Sequence, residues 1–450
     1  MPTLSTGPTG VGERLRGFDA QALGAEMHGF IAEAYPICRS ITGDGVRQTL
    51  RMVGERIPLQ VHEVPTGTPA FDWTVPKEWN IRDAWIKDPR GERVVDFRRS
   101  NLHVLNYSAP VHEKLSLDAL RPHLFTLPEQ PDRIPYRTSY YRETWGFCLS
   151  HHQLLSLQEG EYEVCIDSTL ADGSLTYGEC FLPGETEGEV LISCHVCHPS
   201  LANDNLSGIA VASFLARELA GLRLRYSYRF VFIPGTIGSI VWLSRNEERA
   251  GRIAHGLVAA NLGDPGHFHY KRSRQGDAEI DRAVTRVLRD SGEEHGVAEF
   301  IPFGYDERQY CSPGFDLPVG SLTRTPYGRY SEYHTSGDNL DFVRPEALAG
   351  SLRTYLSVVD VLEGNGRFLN LNPKCEPQLG RRGLYRTLGG DEKGREREMA
   401  LLWVLNLSDG RHTLLDIADR SGMSFAAVRE VCEALLEVEL LRELEPEASS

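Results

Sequence analysis

The run from Leu191 to Gly208, LISCHVCHPSLANDNLSG, concentrates groups that bind metal ions and move protons. An apolar, strand-like stretch leads into His195, and Cys197 and His198 follow at once. After a short loop, Asp204 and Asn205 open a helix-like stretch. A His at a strand end and an Asp at a helix start both point into the crevice of an open α/β sheet, so one metal ion can take both. Taken singly, Asp204 reads as a helix cap and His195 as a satisfied core histidine. Three ligand-type groups within ten residues of a buried strand end favour the metal. A second polar loop, YSEYHTSGDNLDFV (Tyr330 to Val343), sets His334 before a helix with Asp338 four residues on. That spacing suits a ligand and an acid that orients it, although an Asp-capped turn would read the same.

Other groups fall on loops expected to face the crevice: Arg39 in CRSITG, Arg308, and Arg324, Tyr327 and Arg329 in RTPYGRY. Arginine forks match carboxylate or phosphate, and arginines spread over the surface of an acidic protein are the equal alternative. The aromatic run Tyr136 to Phe147 reads as a lid or, with more weight, as local core.

These groups need elements to hold them. From Asp19 to Ile57 the apolar residues recur at helical spacing around PICRSITGDGVRQTL. Residues 64–159 are rich in Pro and aromatics and alternate at period two, so a small β-rich domain inserted in the core is expected there. Residues 160–365 alternate strand and helix, and with 15–63 they make an α/β core with a mostly parallel sheet and helices on both faces. A polar linker is expected over 366–395. Residues 396–450 read as three helices with a Gly-bearing turn before the third, a winged helix-turn-helix.

The strand–His195, the Asp204-Asn205-x-Ser-Gly helix start and the late His334-Thr with Asp338 together resemble the di-zinc exopeptidases of the leucyl aminopeptidase and glutamate carboxypeptidase type. The likeness spans about Glu161 to Leu362 and the helices before Ile57. With the inserted β domain and winged helix, the chain looks like a bacterial family of aminopeptidase-like proteins, most without an assigned function. The resemblance implies zinc, with His195 and Asp204 as ligands, the Asp bridging two metals, and His334 as the last histidine ligand. It offers Asp264 in ANLGDPG, displaced by one residue, for a further acidic ligand, and matches Asp306 in GYDERQY to a family Asp.

The departures from the family pattern are specific. Cys197 stands where an Asp usually orients the first His, and His198 follows as a spare ligand. The family's Glu-Glu pair, one general base and one ligand, is absent from FVFIPGTIGSIVW. Glu247 and Glu248 lie about three turns further along that helix, out of reach. A single zinc is therefore expected on His195, Asp204, Asp264 and His334, with Glu307 or Glu332 as the base. Arg39, Arg308, Arg324 and Tyr327 are the expected substrate contacts. The expected function is a zinc-dependent hydrolase of an amide in a peptide or amino-acid conjugate. The alternative is a degenerate hydrolase that binds an aminoacyl or peptidyl ligand, or a protein partner, without turnover.

Composition narrows the partners. The 450 residues carry a net charge of −15, with 41% hydrophobic and 25% charged residues. Nucleic acid and anionic membranes would repel such a chain. From Met399 to Ser450 there are four Arg and no Lys against ten acidic residues, so the winged helix is expected to make dimer or partner contacts, not to read DNA, and a homodimer is the expected assembly. Met1 to Arg14 lacks an apolar core and reads as a tail, not an export signal. No apolar run is long enough for a membrane helix, and nine scattered Cys form no dense disulfide pattern. A cytoplasmic, reduced setting is expected.

Overall fold

A computed structural model of the chain describes residues 10–384 and 392–444. At its centre is an eight-stranded sheet: β1 (Gln60–Pro65), β2 (Ser174–Leu182), β3 (Glu189–His195), β4 (Ser227–Ile233), β5 (Ile253–Ala259), β6 (Phe268–Lys271), β7 (His295–Ala298) and β8 (Val319–Thr323). Their spatial order is β1-β2-β4-β3-β5-β8-β6-β7. The middle four are parallel neighbours. Pair β6/β7 is parallel too, whereas β1/β2, β2/β4 and β6/β8 are antiparallel, so the expected mostly parallel sheet is found with antiparallel pairs toward its margins. Apolar runs identify strands without giving their direction. Direction comes from the connections: helical crossovers give parallel pairing, and here they join the middle strands and, through the helix Glu279–Asp290, β6 to β7 at the edge.

Every residue of β3 and β4 is buried, as strands covered on both faces must be. Successive β3 side chains serve opposite layers. Val190, Ile192 and Cys194 pack under α1 (Gly10–Arg16), α2 (Ala20–Ala34), α3 (Asp44–Gly54), α4 (Gly208–Leu219), α6 (Glu279–Asp290) and α7 (Pro345–Gly364), whereas Leu191 packs with α5 (Ile237–Arg245) and the inserted domain. Helix α1 corrects the expected tail: Val11 is buried, and only Met1 to Thr9 of that stretch lie outside the described residues.

The inserted domain leaves the sheet after β1 and returns at β2. Its four-stranded sheet runs Arg93–Asp96, Glu78–Lys87, Glu161–Ala171, Val111–Ser116 in space, so the insertion extends to Ala171, beyond the expected 159. Trp79 anchors it, fully enclosed and donating to the Ser108 carbonyl at 2.8 Å.

The C-terminal unit comprises α8 (Glu392–Leu407), α9 (Leu414–Ser421) and α10 (Phe425–Glu437) with strands Asp409–Thr413 and Leu441–Glu443. Both strands pair with Arg367–Asn370, which was expected to be linker; residues 385–391 of that linker lie outside the described residues. Helix α10 follows the Gly422 turn, where a winged helix presents its DNA-reading helix, and it faces the core. Phe425 is buried and its N–H donates to Asp290, Arg429 pairs with Asp360 at 2.9 Å, and Arg282 of α6 pairs with Asp416 and Asp419 of α9. Among the described residues no helix is long and apolar enough to cross a membrane, and all nine Cys are unpaired.

Candidate metal centre

His195 is the last residue of β3, and Asp204 lies in the irregular turn that leads into α4; both are buried. His195 Nε2 is 2.8 Å from Asp204 Oδ1, and His334 Nε2 is 3.0 Å from Oδ2. His198 Nε2 is 3.8 Å from Oδ2. Candidate ligand atoms of His195, His198 and Asp204 all lie within 4.8 Å of one another. Burial acts to raise the Asp204 carboxyl, but His198, His195 and His334 more than offset it and hold it well below the ordinary Asp value. Burial likewise depresses His198, which leaves a neutral imidazole with a lone pair to donate.

The supports come from distant segments. Asp338 was expected to orient His334; instead it accepts the N–H groups of Asn203 at 2.6 Å and Asp204 at 2.9 Å and so fixes the turn that carries Asp204. Burial pushes its carboxyl up to about 8. His334 takes a left-handed backbone, φ +53°, uncommon for a residue with a Cβ. The inserted domain holds it there, because Tyr136 N–H donates to the His334 carbonyl at 2.7 Å and Ser336 pairs with Ile134. Tyrosine rings box the histidines: Tyr305 stacks on His195, Tyr333 on His334, and Tyr136 meets His198 and His334.

A cleft of about 140 Å³ opens beside the cluster, lined by His195, His198, Tyr305, Asp306, Tyr327 and Tyr333 among others. Gly235 lines it too; a Cβ there would come within 3.0 Å of the His195 Cβ and 3.2 Å of Asp306 Oδ2. Asp306 is the carboxylate in this cleft. Ser239 donates to Oδ1 at 2.8 Å, Oδ2 is buried without a partner, and burial pushes the group up to about 6. The likeness to the exopeptidases matched this residue, but nothing local in GYDERQY marks it as more than a loop acid.

Several expected site residues are engaged elsewhere. Asp264 accepts from Thr325 Oγ1 at 2.6 Å, Gly266 N–H at 2.8 Å and Asn203 Nδ2 at 3.0 Å, and stands outside the ligand group. Its displacement by one residue turns it to brace the turn. Glu307 is buried against Lys271 in an ion pair, and Glu332 pairs with Arg133 at 2.9 Å, so neither offers a free base in the cleft. Arg324 reaches Ser351 and the Gly266 carbonyl and lies over Phe268, away from the cleft. Arg39 is buried behind the cluster, its Nε donating to the His198 carbonyl at 2.8 Å; it positions a histidine. Tyr327 lines the cleft, and Arg308 lines the adjoining cavity. Cys197 is enclosed and its thiol pushed up to about 12 by burial, which disfavours thiolate ligation.

Residues 28–365 match the family described as domain of unknown function DUF4910, and residues 367–443 match a winged helix-turn-helix. A Clostridium acetobutylicum protein, named for polysaccharide biosynthesis and an aminopeptidase-like domain, is 54% identical over 419 residues, covering 93% of this chain and 96% of its own. A Clostridium acetobutylicum crystal structure described as a peptidase superposes with a TM-score of 0.92 at 51% identity, covering 96% of this chain and 99% of its own. A zinc aminopeptidase from Bacillus subtilis shares the fold, with a TM-score of 0.57 at 10% identity over 76% of this chain and 94% of its own. The chain belongs to the DUF4910 family, an aminopeptidase-like α/β fold that ends here in a winged helix.

Proposed function

We infer that the protein is a zinc-dependent hydrolase that cleaves an amide in a peptide or amino-acid conjugate. The observation that carries this reading is Asp204, enclosed, with an imidazole on each carboxylate oxygen and a third imidazole beside them. The donor set fits zinc, which takes imidazole nitrogen and carboxylate oxygen. His195, His198 and Asp204 would hold the ion, with His334 on the outer oxygen. Zinc held there would polarise a carbonyl oxygen and acidify water. The chain's own residues supply the rest. Asp306 is the group able to take a proton and return it to the departing amine, because one oxygen is anchored and the other is free. The tyrosine rings pack against the histidines and fix their orientation, and Asp338 and Arg39 keep Asp204 and His198 in place.

The winged helix serves protein contacts, beginning with its own core, and the ligand is a small molecule or peptide. The name of the Clostridium acetobutylicum relative supports a substrate from sugar-conjugate metabolism.

A second reading, an aminoacyl-binding protein without turnover, is favoured by the ion pairs that occupy Glu307 and Glu332. Hydrolysis of a panel of aminoacyl and peptidyl amides by protein purified without chelators separates the two. Turnover that falls about a hundredfold or more in Asp306→Asn, with zinc content unchanged, supports the hydrolase. Zinc-loaded protein inert across the panel supports the binder.

A further inference from the structure

Beyond Gly235 and Thr236, which line both, the metal-centre cleft adjoins a second cavity of about 200 Å³, lined also by Ile41, Trp73, Tyr140, Tyr141 and Arg308. The core and the inserted domain build it jointly. Arg308 forms no ion pair among the described residues, although the chain is strongly acidic. Its Nε is buried without a partner, and its one hydrogen bond among the described residues is a long one to Thr236 Oγ1 at 3.5 Å. Asp306 is near enough to feel its charge but is not bonded to it. Other half-buried arginines have well-formed acceptors, such as Arg47 with Glu63 and Glu78, Arg282 with Asp416 and Asp419, Arg429 with Asp360, and Arg324 with the Gly266 carbonyl. A desolvated donor without an acceptor is destabilising unless a ligand completes it.

The mouth of the cavity carries the second mark. Trp73 and Tyr141 come from separate segments of the inserted domain, and their rings meet at 5.3 Å while remaining 46% and 54% exposed. Phe303, 62% exposed, stands by the metal-centre cleft with the Arg308 guanidinium over its ring at 6.0 Å. Paired aromatics left open beside a cationic fork offer a stacking face next to an anion site.

We propose that this second cavity is a specificity subsite for an anionic, ring-bearing group: Arg308 takes a carboxylate or phosphate, and Trp73 with Tyr141 takes the flat face of a sugar or aromatic ring. The part of the substrate beyond the amide therefore carries both. Which bond is cut rests on the hydrolase reading above, whereas binding at the subsite does not.

The test is equilibrium binding to the full-length protein with its metal, by calorimetry, with two matched probe pairs. N-acetylphenylalanine is compared with its amide, and N-acetylglucosamine 6-phosphate with N-acetylglucosamine. At least one anionic probe should bind about tenfold or more tightly than its neutral partner, a charge-assisted contact being strong enough for that. The pair that shows the preference identifies carboxylate or phosphate as the natural anion. Arg308→Gln should erase the preference with zinc content and thermal midpoint unchanged, and Trp73→Ala should weaken both members of the pair alike. A preference that survives Arg308→Gln belongs to the metal and overturns the proposal, as does equal binding of both members or no binding of any probe. Intact preference without turnover would refute the hydrolase alone.

Discussion

Strand β3 begins in one buried ionic cluster and ends in another, and the two are built differently. At its start Glu189 meets Arg229 of β4 at 2.5 Å; Arg229 also pairs with Glu179 of β2, whose second oxygen accepts from Trp242 Nε1 at 2.8 Å. Each strand contributes a charge and every charge has its partner. At its end, His195 joins a cluster in which Asp306 Oδ2 and Arg308 Nε are buried without a partner and three imidazoles converge on the Asp204 carboxylate. Close packing demands that buried polar groups be satisfied. Where the chain satisfies them itself, the cluster is structural. Where it leaves several facing one cleft, a ligand completes them.

That contrast predicts opposite consequences for substitution. Asp204→Ala should abolish turnover, a cost of roughly several kcal/mol in the transition state, with secondary structure retained by circular dichroism. Arg229→Met should instead cost about 3–5 kcal/mol of stability in denaturant unfolding, because two enclosed carboxylates lose their countercharge. Its folded fraction should keep native zinc and activity. Equal effects of the two on stability would erase the distinction.

The pH dependence sharpens it further. Burial raises Asp306 to about 6, and a base acts only once its proton has left. The rate should therefore rise with pH up to about 6, or somewhat lower with a zinc cation nearby to favour the carboxylate. A pH–rate profile of Asp306→Asn that keeps the same acidic limb would assign the limb elsewhere. The smallest expected effect concerns the winged helix. Its reading helix is packed on Asp290 and Asp360 and the unit is acidic, so micromolar protein should give no salt-sensitive mobility shift with duplex DNA.

Much of the centre was legible because its residues occupy segment ends with fixed spacing: His195 closes an apolar run, Asp204 lies in the turn just before a helix, and His334 sits in a polar loop. The winged helix was legible from its apolar periodicity and the Gly422 turn. What stayed hidden depends on partners remote in sequence. Glu307 and Glu332 look like free loop acids until Lys271 and Arg133 arrive beside them. Asp306 looks as ordinary until burial desolvates it. Asp264 has the right residue type, but one position of displacement turns it onto Thr325. The antiparallel pairings β1/β2, β2/β4 and β6/β8 were hidden because hydrophobic pattern carries no strand direction.

The most direct measurement is the metal content of native protein purified without chelators, beside Asp204→Asn and His195→Ala. About one zinc per chain should be present in the native protein and lost in both variants. Stoichiometry near zero that added zinc does not restore, or zinc retained in full by both variants, would contradict a metal centre on His195, His198 and Asp204.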